Sequence, residues 1–531
     1  MEAWANTKAG PTMSLLRAAG SISAFTLLSR ILGLIRDSLM AQALGASWVH
    51  GTFLLAWVFP NLMRRLLGEG ALSAALVPAY TAARRQHDPE IARQLLADVA
   101  GAVVTLLTPL CFLIAIGSLL LPAEWLPEPT NGGLPAMRLL LSLNAILFTY
   151  SLPVCLTAVY SGAMNTLGRF ALPAAVPIVL NVFWIAALLL ARPLGFTLPT
   201  EIVHFAAWSL AIGGFLQLLL VTVPLWLGGE LLRPRLGLPA RGTAAFGVFV
   251  AMGPMVVGMS LNQISSLLDQ LMAYFLIAPG AVTYIYLANR LLLFPHALTA
   301  MAVAIAVFPK LAHEAGEADR KQLRQTLDMA AGATIFITLP AAAGLIVLGN
   351  EVVRVLFEGQ EFLPSDVWPT VLTSSCLVAG LPLLGLAQLY ARAFYAVGDA
   401  ATPARLAARL MVFNTALNLV LITTTNLGTA GLTLSSSISA LVNAAVLAKK
   451  FHRHSAPGTG LRGAWLRAGI ATTAMCAVLP LVTICAATAP RWQRALGNVA
   501  LPIGLGMVVY FAVHLLLRSP EMKALRRRRA K

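Results

Sequence analysis

The sequence predicts an all-α polytopic membrane protein of about 14 transmembrane helices, built as two pseudo-symmetric six-helix halves plus two extra C-terminal helices. Three observations predict it. The 531 residues are 58% hydrophobic and only 11% charged, with a mean hydropathy of +0.79, far more apolar than a soluble domain. Fourteen apolar runs each approach the length that crosses a bilayer. Motifs of the first half return about 230 residues later.

In order, the expected spans lie near 22–44, 52–77, 98–121, 138–162, 171–191, 202–227, 243–276, 281–309, 329–349, 367–395, 406–424, 428–448, 466–486 and 496–517. The resulting divisions are a cytoplasmic N-terminus at 1–21, a first lobe at 22–227, a second lobe at 243–448, two additional helices at 466–517 and a basic tail at 518–531. Residues 1–12 lack the apolar core of a signal peptide, and Met13 is a candidate alternative start. The longer runs tilt, kink or extend beyond the hydrocarbon. Pro60, Pro295 and Pro382 are expected to kink their spans.

Lys and Arg are distributed unevenly between the loops. Those on the side that holds both termini carry 27, whereas the opposite side carries Arg138, Arg192, Arg354, Arg491 and Arg494. This bias places both termini in the cytoplasm. It also accounts for a net charge of +17 without a nucleic-acid partner. The RRRRAK tail reads as a topology signal and a contact for anionic lipid heads.

The repeat pairs residues 59–60 with 294–295, Pro78 with Pro309, 100–102 with 331–333, Gly168 with Gly398 and Pro173 with Pro403. Six spans separate the copies, and an even number preserves orientation, so the halves are related by an axis along the membrane normal. Transporters of this build hold substrate between the halves. The last two spans lie outside the repeat.

The first two spans carry the chemistry. Arg30, Arg36 and Asp37 interrupt the first, and Arg64, Arg65 and Glu69 interrupt the second. A charge at mid-membrane costs about 2.5–3.5 kcal/mol on the gentler insertion scale, so six facing lipid would cost about 15–20 kcal/mol. They are expected to face a protein interior or wet cavity. Four cations against two acids make that cavity positive, which suits an anionic substrate. The bland alternative is ion pairs that lock two helices together. In the second half, Arg290 reads as a further cavity residue. Asp269 reads equally as cavity acid or as polar glue between helices. Arg392 lies near a span end and is expected to snorkel. His296 reads as a core histidine.

Residues 318–329 place Leu323 and Leu327 four apart among charges, like an amphipathic surface helix; a plain solvated connector is the favoured reading. Cys111, Cys155, Cys376, Cys476 and Cys485 all lie in apolar runs and read as small core residues. No paired carboxylates, P-loop, GxSxG or HExxH pattern occurs, and no cofactor is expected.

The stretches SLLRAAGSISAFTLLSRILGLIRDSLMAQALG, PNLMRRLLGEGALSAALVP, LTAVYSGAMNTLGRFALPA and YIYLANRLLLFPHALTAMAVAIAVFPKLA resemble the MurJ (MviN) family of bacterial lipid II flippases. This is a branch of the multidrug/oligosaccharidyl-lipid/polysaccharide exporter superfamily. The resemblance covers about residues 13–450 and agrees with fourteen spans. It implies a flippase for lipid II, the undecaprenyl-pyrophosphate-linked muropeptide, in the bacterial cytoplasmic membrane. It matches Arg30, Arg36, Arg64 and Arg290 to cavity arginines, with Asp37, Arg65 and Glu69 as supporting charges. Membrane lipids and the cell-wall synthesis machinery are the other partners it suggests. The chain departs from the family at Gly51, where relatives carry an acid, and at Val58, where a lysine is often seen. Export of another undecaprenyl-linked oligosaccharide is the alternative function. A membrane glycosyltransferase using the same lipid is the rival from another class.

Overall fold

The apolar runs fold as helices in a computed structural model that describes residues 11–65, 71–85, 89–130, 132–298, 300–317, 320–451, 461–483 and 489–522. The chain divides into two compact units. One comprises residues up to Leu44 together with Trp48–Ile264, the other Gly45–Ser47 with Ser265 onward.

The first unit contains α1 (Pro11–Leu44), α2 (Trp48–Met63), α3 (Leu72–Arg85), α4 (Pro89–Leu120), α5 (Gly133–Leu147), α6 (Ser151–Thr166), α7 (Ala171–Ala191), α8 (Pro199–Leu227) and most of α9 (Ala244–Met272). The second contains α10 (Ala281–Leu298), α11 (Ala300–Ala315), α12 (Lys321–Val347), α13 (Gly349–Phe357), α14 (Pro364–Val378), α15 (Leu381–Ala396), α16 (Ala401–Thr424), α17 (Thr429–Phe451), α18 (Arg462–Val478), α19 (Arg491–Arg494) and α20 (Leu501–Leu516). No strand occurs among the described residues.

Local sequence sets several helix starts. Before α8, Leu198-Pro199 is followed by Glu201, whose Oε2 accepts from the Thr197 and Leu198 amides at 3.1 Å each. Before α14, Leu363-Pro364 is followed by Asp366, whose Oδ2 accepts from the Leu363 amide at 3.0 Å. In both, proline supplies the helical φ and an acid satisfies amides the helix leaves open.

Ten helical runs among the described residues are long and apolar enough to cross a membrane, and the α10–α11 pair, bent by 42°, makes eleven. Continuous runs over Gly133–Thr166 and Pro364–Ala396 each join two helices into one span. Three expected spans fall outside this set. α1 carries Arg30, Arg36 and Asp37 along its length. The run expected at 52–77 is not one described helix: α2 gives way after Met63 to a wide π-type turn at Arg64 and Arg65. Among the described residues, the apolar stretch of α9 is Ala244–Val256. Pro60 sits one turn before the end of α2, Pro295 just before the α10–α11 bend, and Pro382 in the first turn of α15.

The two units repeat a pattern of neighbours. In the first, α2 packs on α5, α3 and α4 on α6, and α8 on α6 and α7. In the second, α10 packs on α14, α11 and α12 on α15, and α17 on α15 and α16. Outward faces are apolar, as at Phe112, Leu113 and Leu120. Such a surface would aggregate in water but is ordinary against lipid, where close packing and polar contacts hold helices together instead.

The surface or solvated helix expected around Leu323 and Leu327 is corrected by the structure. Both leucines are fully buried in the second unit's core with Tyr390, Phe394 and Phe451. They belong to the first turns of α12, which continues into the apolar span. Arg324 and Asp328 pair at 3.0 Å beside them. The spacing identified an amphipathic helix; the apolar stripe is covered by protein.

Candidate functional site

α1 brings the strongest cluster together. Arg36 is only 7% exposed and Asp37 2%. The Arg36 Nε and Nη2 donate to Asp37 Oδ1 at 2.9 and 2.7 Å. Its Nη1 donates to Asn181 Oδ1 on α7 at 2.9 Å. Its guanidinium carbon lies 4.4 Å from the Trp184 ring centroid. A buried guanidinium is tolerable only with its charge opposed and its N–H groups bonded, and these contacts meet that need. The tryptophan face adds a cation–π contact.

The support reaches further into the first unit. Asn181 Nδ2 donates to the Ser29 carbonyl at 3.0 Å, two turns before Arg36 on the same face of α1. Trp184 stacks edge-on with Phe53 and Trp57 of α2, and Trp57 packs on Tyr150. The Tyr150 hydroxyl donates to Gln217 Oε1 at 3.2 Å. Gln217 Nε2 in turn donates to the Val176 carbonyl at 2.8 Å. The Arg36 cluster thus rests on an aromatic layer tied to α8 through the Tyr150 hydroxyl.

The other expected site residues are placed differently. Arg30 is exposed on α1 and makes no ion pair with a described residue. Six residues separate it from Arg36, so the two point about 120° apart around the helix. Arg64 is half-buried in the turn after α2, and its Nε and Nη2 donate to Asn61 Oδ1 at 3.2 and 2.9 Å. Arg65 is exposed and donates to Gln263 Oε1 of α9 at 3.3 Å. Glu69 lies outside the described residues. Gly51 is buried within α2 and Val58 is half-buried two turns on along the same face.

In the second unit, Arg290 is half-buried on α10. It donates to the Tyr286 hydroxyl at 2.7 Å, with its guanidinium carbon 4.7 Å from that ring's centroid. Asp269 takes the helix-joining role: its Oδ1 accepts from Asn418 Nδ2 of α16 at 2.6 Å. Asn418 also meets Asn414 and Ser435 in a buried polar network. His296 is 4% exposed, with Nε2 3.1 Å from Gln388 Nε2. Arg392 is half-buried near the end of α15. Cys155 is buried and Cys111, Cys376 and Cys476 partly so, while Cys485 lies outside the described residues. No cluster of metal-ligating side chains occurs among the described residues.

Asn181, Trp184 and Tyr286 were not singled out from the sequence. A lone asparagine or tryptophan in an apolar run has the same local signal whether it bonds a buried charge or packs a neighbour. In hydrocarbon, however, an amide needs a partner, and Asn181 in PIVLNVFWIAAL carried that hint.

The family profile described as "Lipid II flippase MurJ" matches residues 40–502. A relative from Vibrio cholerae, named as a probable lipid II flippase MurJ, is 33% identical over 523 residues, covering 96% of this chain and 98% of its own. Among solved structures, one of lipid II flippase MurJ in an inward closed conformation superposes with a TM-score of 0.75 at 22% identity, covering 94% of this chain and 98% of that one. A multidrug resistance MATE transporter of the MOP superfamily, inward-facing, gives 0.60 at 16% identity, over 86% and 98% of the two chains. These structures establish a shared fold, and the sequence matches run nearly end to end. The chain belongs to the lipid II flippase MurJ family.

Proposed function

We propose that this chain is a flippase that moves lipid II from the inner to the outer leaflet of the bacterial cytoplasmic membrane. The observation that carries this reading is the family match over nearly the whole chain, joined to arginines within otherwise apolar helices. It acts as a transporter rather than an enzyme. The proposed layout has fourteen spans with both termini cytoplasmic, a lobe at 22–227, a lobe at 243–448, and two further helices at 466–517 followed by the basic tail.

The chemistry follows from the head group. A pyrophosphate carries diffuse, multiple negative charge, and guanidinium groups bind it through paired charge-assisted hydrogen bonds. In the proposed mechanism Arg30, Arg64 and Arg290 supply such donors. Arg36, whose N–H groups are engaged by Asp37 and Asn181, contributes its charge and stiffens the wall. Arg65, Asp37 and Glu69 tune the local field. The polyprenyl tail stays in lipid while the head crosses, and the lobes open to one side at a time.

The test is replacement of a cell's own flippase by this chain, with lipid II exposure on the outer face as readout. Growth and restored exposure are expected. Purified protein given labelled lipid II should change its leaflet and leave it chemically intact; formation of new glycosidic bonds would mark the glycosyltransferase, and loss of exposure with normal insertion would sink the flippase reading.

A further inference from the structure

A polar recess of about 300 Å³ lies at one end of the second unit, where α16 begins and α17 ends. Arg405 and Arg409 of α16 and Lys450 from the last turn of α17 line it. Asp399 is its single acid. That carboxylate is engaged locally, its Oδ1 accepting from the Thr402 amide at 3.0 Å at the start of α16. Arg405 turns its Nε to the Ala401 carbonyl at 3.2 Å, while Arg409 and Lys450 make no hydrogen bond or ion pair with a described residue. The recess is therefore strongly cationic.

The repeat does not demand these charges. At the same offset as Gly168/Gly398 and Pro173/Pro403, the first unit has Leu172, Ala175 and Val179 opposite Thr402, Arg405 and Arg409. The first unit has Arg169 opposite Asp399 but no counterpart of the Arg405, Arg409 and Lys450 cluster.

The helix that carries the arginines also identifies what they face. α16 is the least buried of the ten membrane-crossing runs, with 17% of its apolar window covered. At four-residue steps from Arg405 and Arg409, the same face continues through Phe413, 41% exposed, towards Val420, 52% exposed. A cationic recess thus passes directly into an uncovered apolar stripe. Buried Asn414 and Asn418 occupy the opposite face. A soluble anion would use the recess and ignore the stripe; an anionic lipid would use both.

We propose that Arg405, Arg409 and Lys450 form a binding site for the phosphate of an anionic membrane lipid, whose acyl chains lie along the exposed face of α16. The site is separate from the intramembrane arginines and does not depend on the transport reading. Its phosphate chemistry is shared with inorganic phosphate, and the apolar stripe selects the lipid.

The test uses the full-length purified chain and native mass spectrometry with phosphatidylglycerol or phosphatidylcholine added. Wild type should retain phosphatidylglycerol about tenfold or more over phosphatidylcholine, as expected for several cations acting on one head group. The combined change R405A, R409A and K450A should reduce that preference to about twofold or less. A control removing three exposed cations elsewhere, R85A with R233A and R241A, should keep it. Should the triple variant unfold, R409Q alone should weaken retention several-fold with unchanged thermal unfolding. An unaltered lipid preference in the folded triple variant or in R409Q overturns the proposal. Displacement of bound phosphatidylglycerol by millimolar inorganic phosphate overturns the lipid assignment in favour of a soluble phosphate.

Discussion

Asn181 holds Arg36 from α7 with one end of its amide and α1 itself with the other: its Oδ1 accepts from Arg36 Nη1 at 2.9 Å, and its Nδ2 donates to the Ser29 carbonyl at 3.0 Å. A single side chain thereby fixes a buried cation and the separation of two helices. Trp184, three residues on, closes the guanidinium face.

Asn181→Ala should therefore lower stability by about 1–3 kcal/mol, because a buried charged donor loses its partner. Asn181→Asp should also impair the site: the new carboxylate can accept from Arg36 but cannot donate to the Ser29 carbonyl. Thermal unfolding of the purified variants, read beside lipid II translocation, checks this. An unchanged midpoint in Asn181→Ala would show that the amide contributes nothing to holding α1 on α7.

Arg64 separates substrate binding from simple helix locking. Arg64→Lys should reduce transport despite retaining the charge, since an ammonium cannot make the planar two-bond fork. Arg64→Ala, Arg30→Ala and Arg290→Ala should each lose more, about 1.5–3 kcal/mol of interaction or one to two decades in binding. Arg392→Ala should do little. The comparison that decides is Arg64→Ala combined with Glu69→Ala, at normal protein levels: full translocation in that double variant would assign Arg64 to an ion pair instead of the substrate.

Tyr286 gives Arg290 both an acceptor and a ring face. Tyr286→Phe keeps the cation–π contact and removes a charge-assisted hydrogen bond, so it should cost about 1.5–3 kcal/mol in the function of Arg290. Tyr286→Ala should cost more. Translocation rates for the two variants beside Arg290→Ala measure the effect; a Tyr286→Phe protein as active as wild type would show that the hydroxyl does not matter.

The repeat glycines Gly101 and Gly332 should respond oppositely to a methyl group. A Cβ at Gly101 would overlap the Arg235 carbonyl oxygen, because residues 235–237 lie directly on α4. There the Arg235 amide donates to the Ala97 carbonyl at 3.1 Å and the Gly237 amide to Thr105 Oγ1 at 2.9 Å. Gly101→Ala should displace this segment, cost about 1–3 kcal/mol and expose 231–240 to limited proteolysis. At Gly332 the nearest atom to a Cβ would be Glu521 Oε1 at 3.7 Å, an ordinary contact. Gly332→Ala should be neutral or slightly stabilising, by up to about 1 kcal/mol, through helix propensity. Equal protease sensitivity in both variants would refute the docking of 235–237.

Much of this molecule is decided by sequence alone, and the physical reason is the bilayer. Lipid cannot hydrogen-bond a backbone, so long apolar runs must be helices, and charges within them must find a protein or wet environment. Arg30, Arg36, Asp37, Arg64 and Arg290 stood out for that reason. Paired prolines and glycines revealed the repeat because a kink or turn needs a particular residue whatever surrounds it. Tertiary structure decided the rest. It set Asn181 against Arg36 across 145 positions, turned Asp269 to Asn418 rather than to an arginine within its own unit, and buried Leu323 and Leu327 beneath Phe394 and Phe451. It ended α2 at Met63, ahead of Arg64 and Arg65, where the sequence reading carried one span through to residue 77. Periodicity states which residues share a face; only the packing of distant helices determines whether that face meets lipid, water or another side chain.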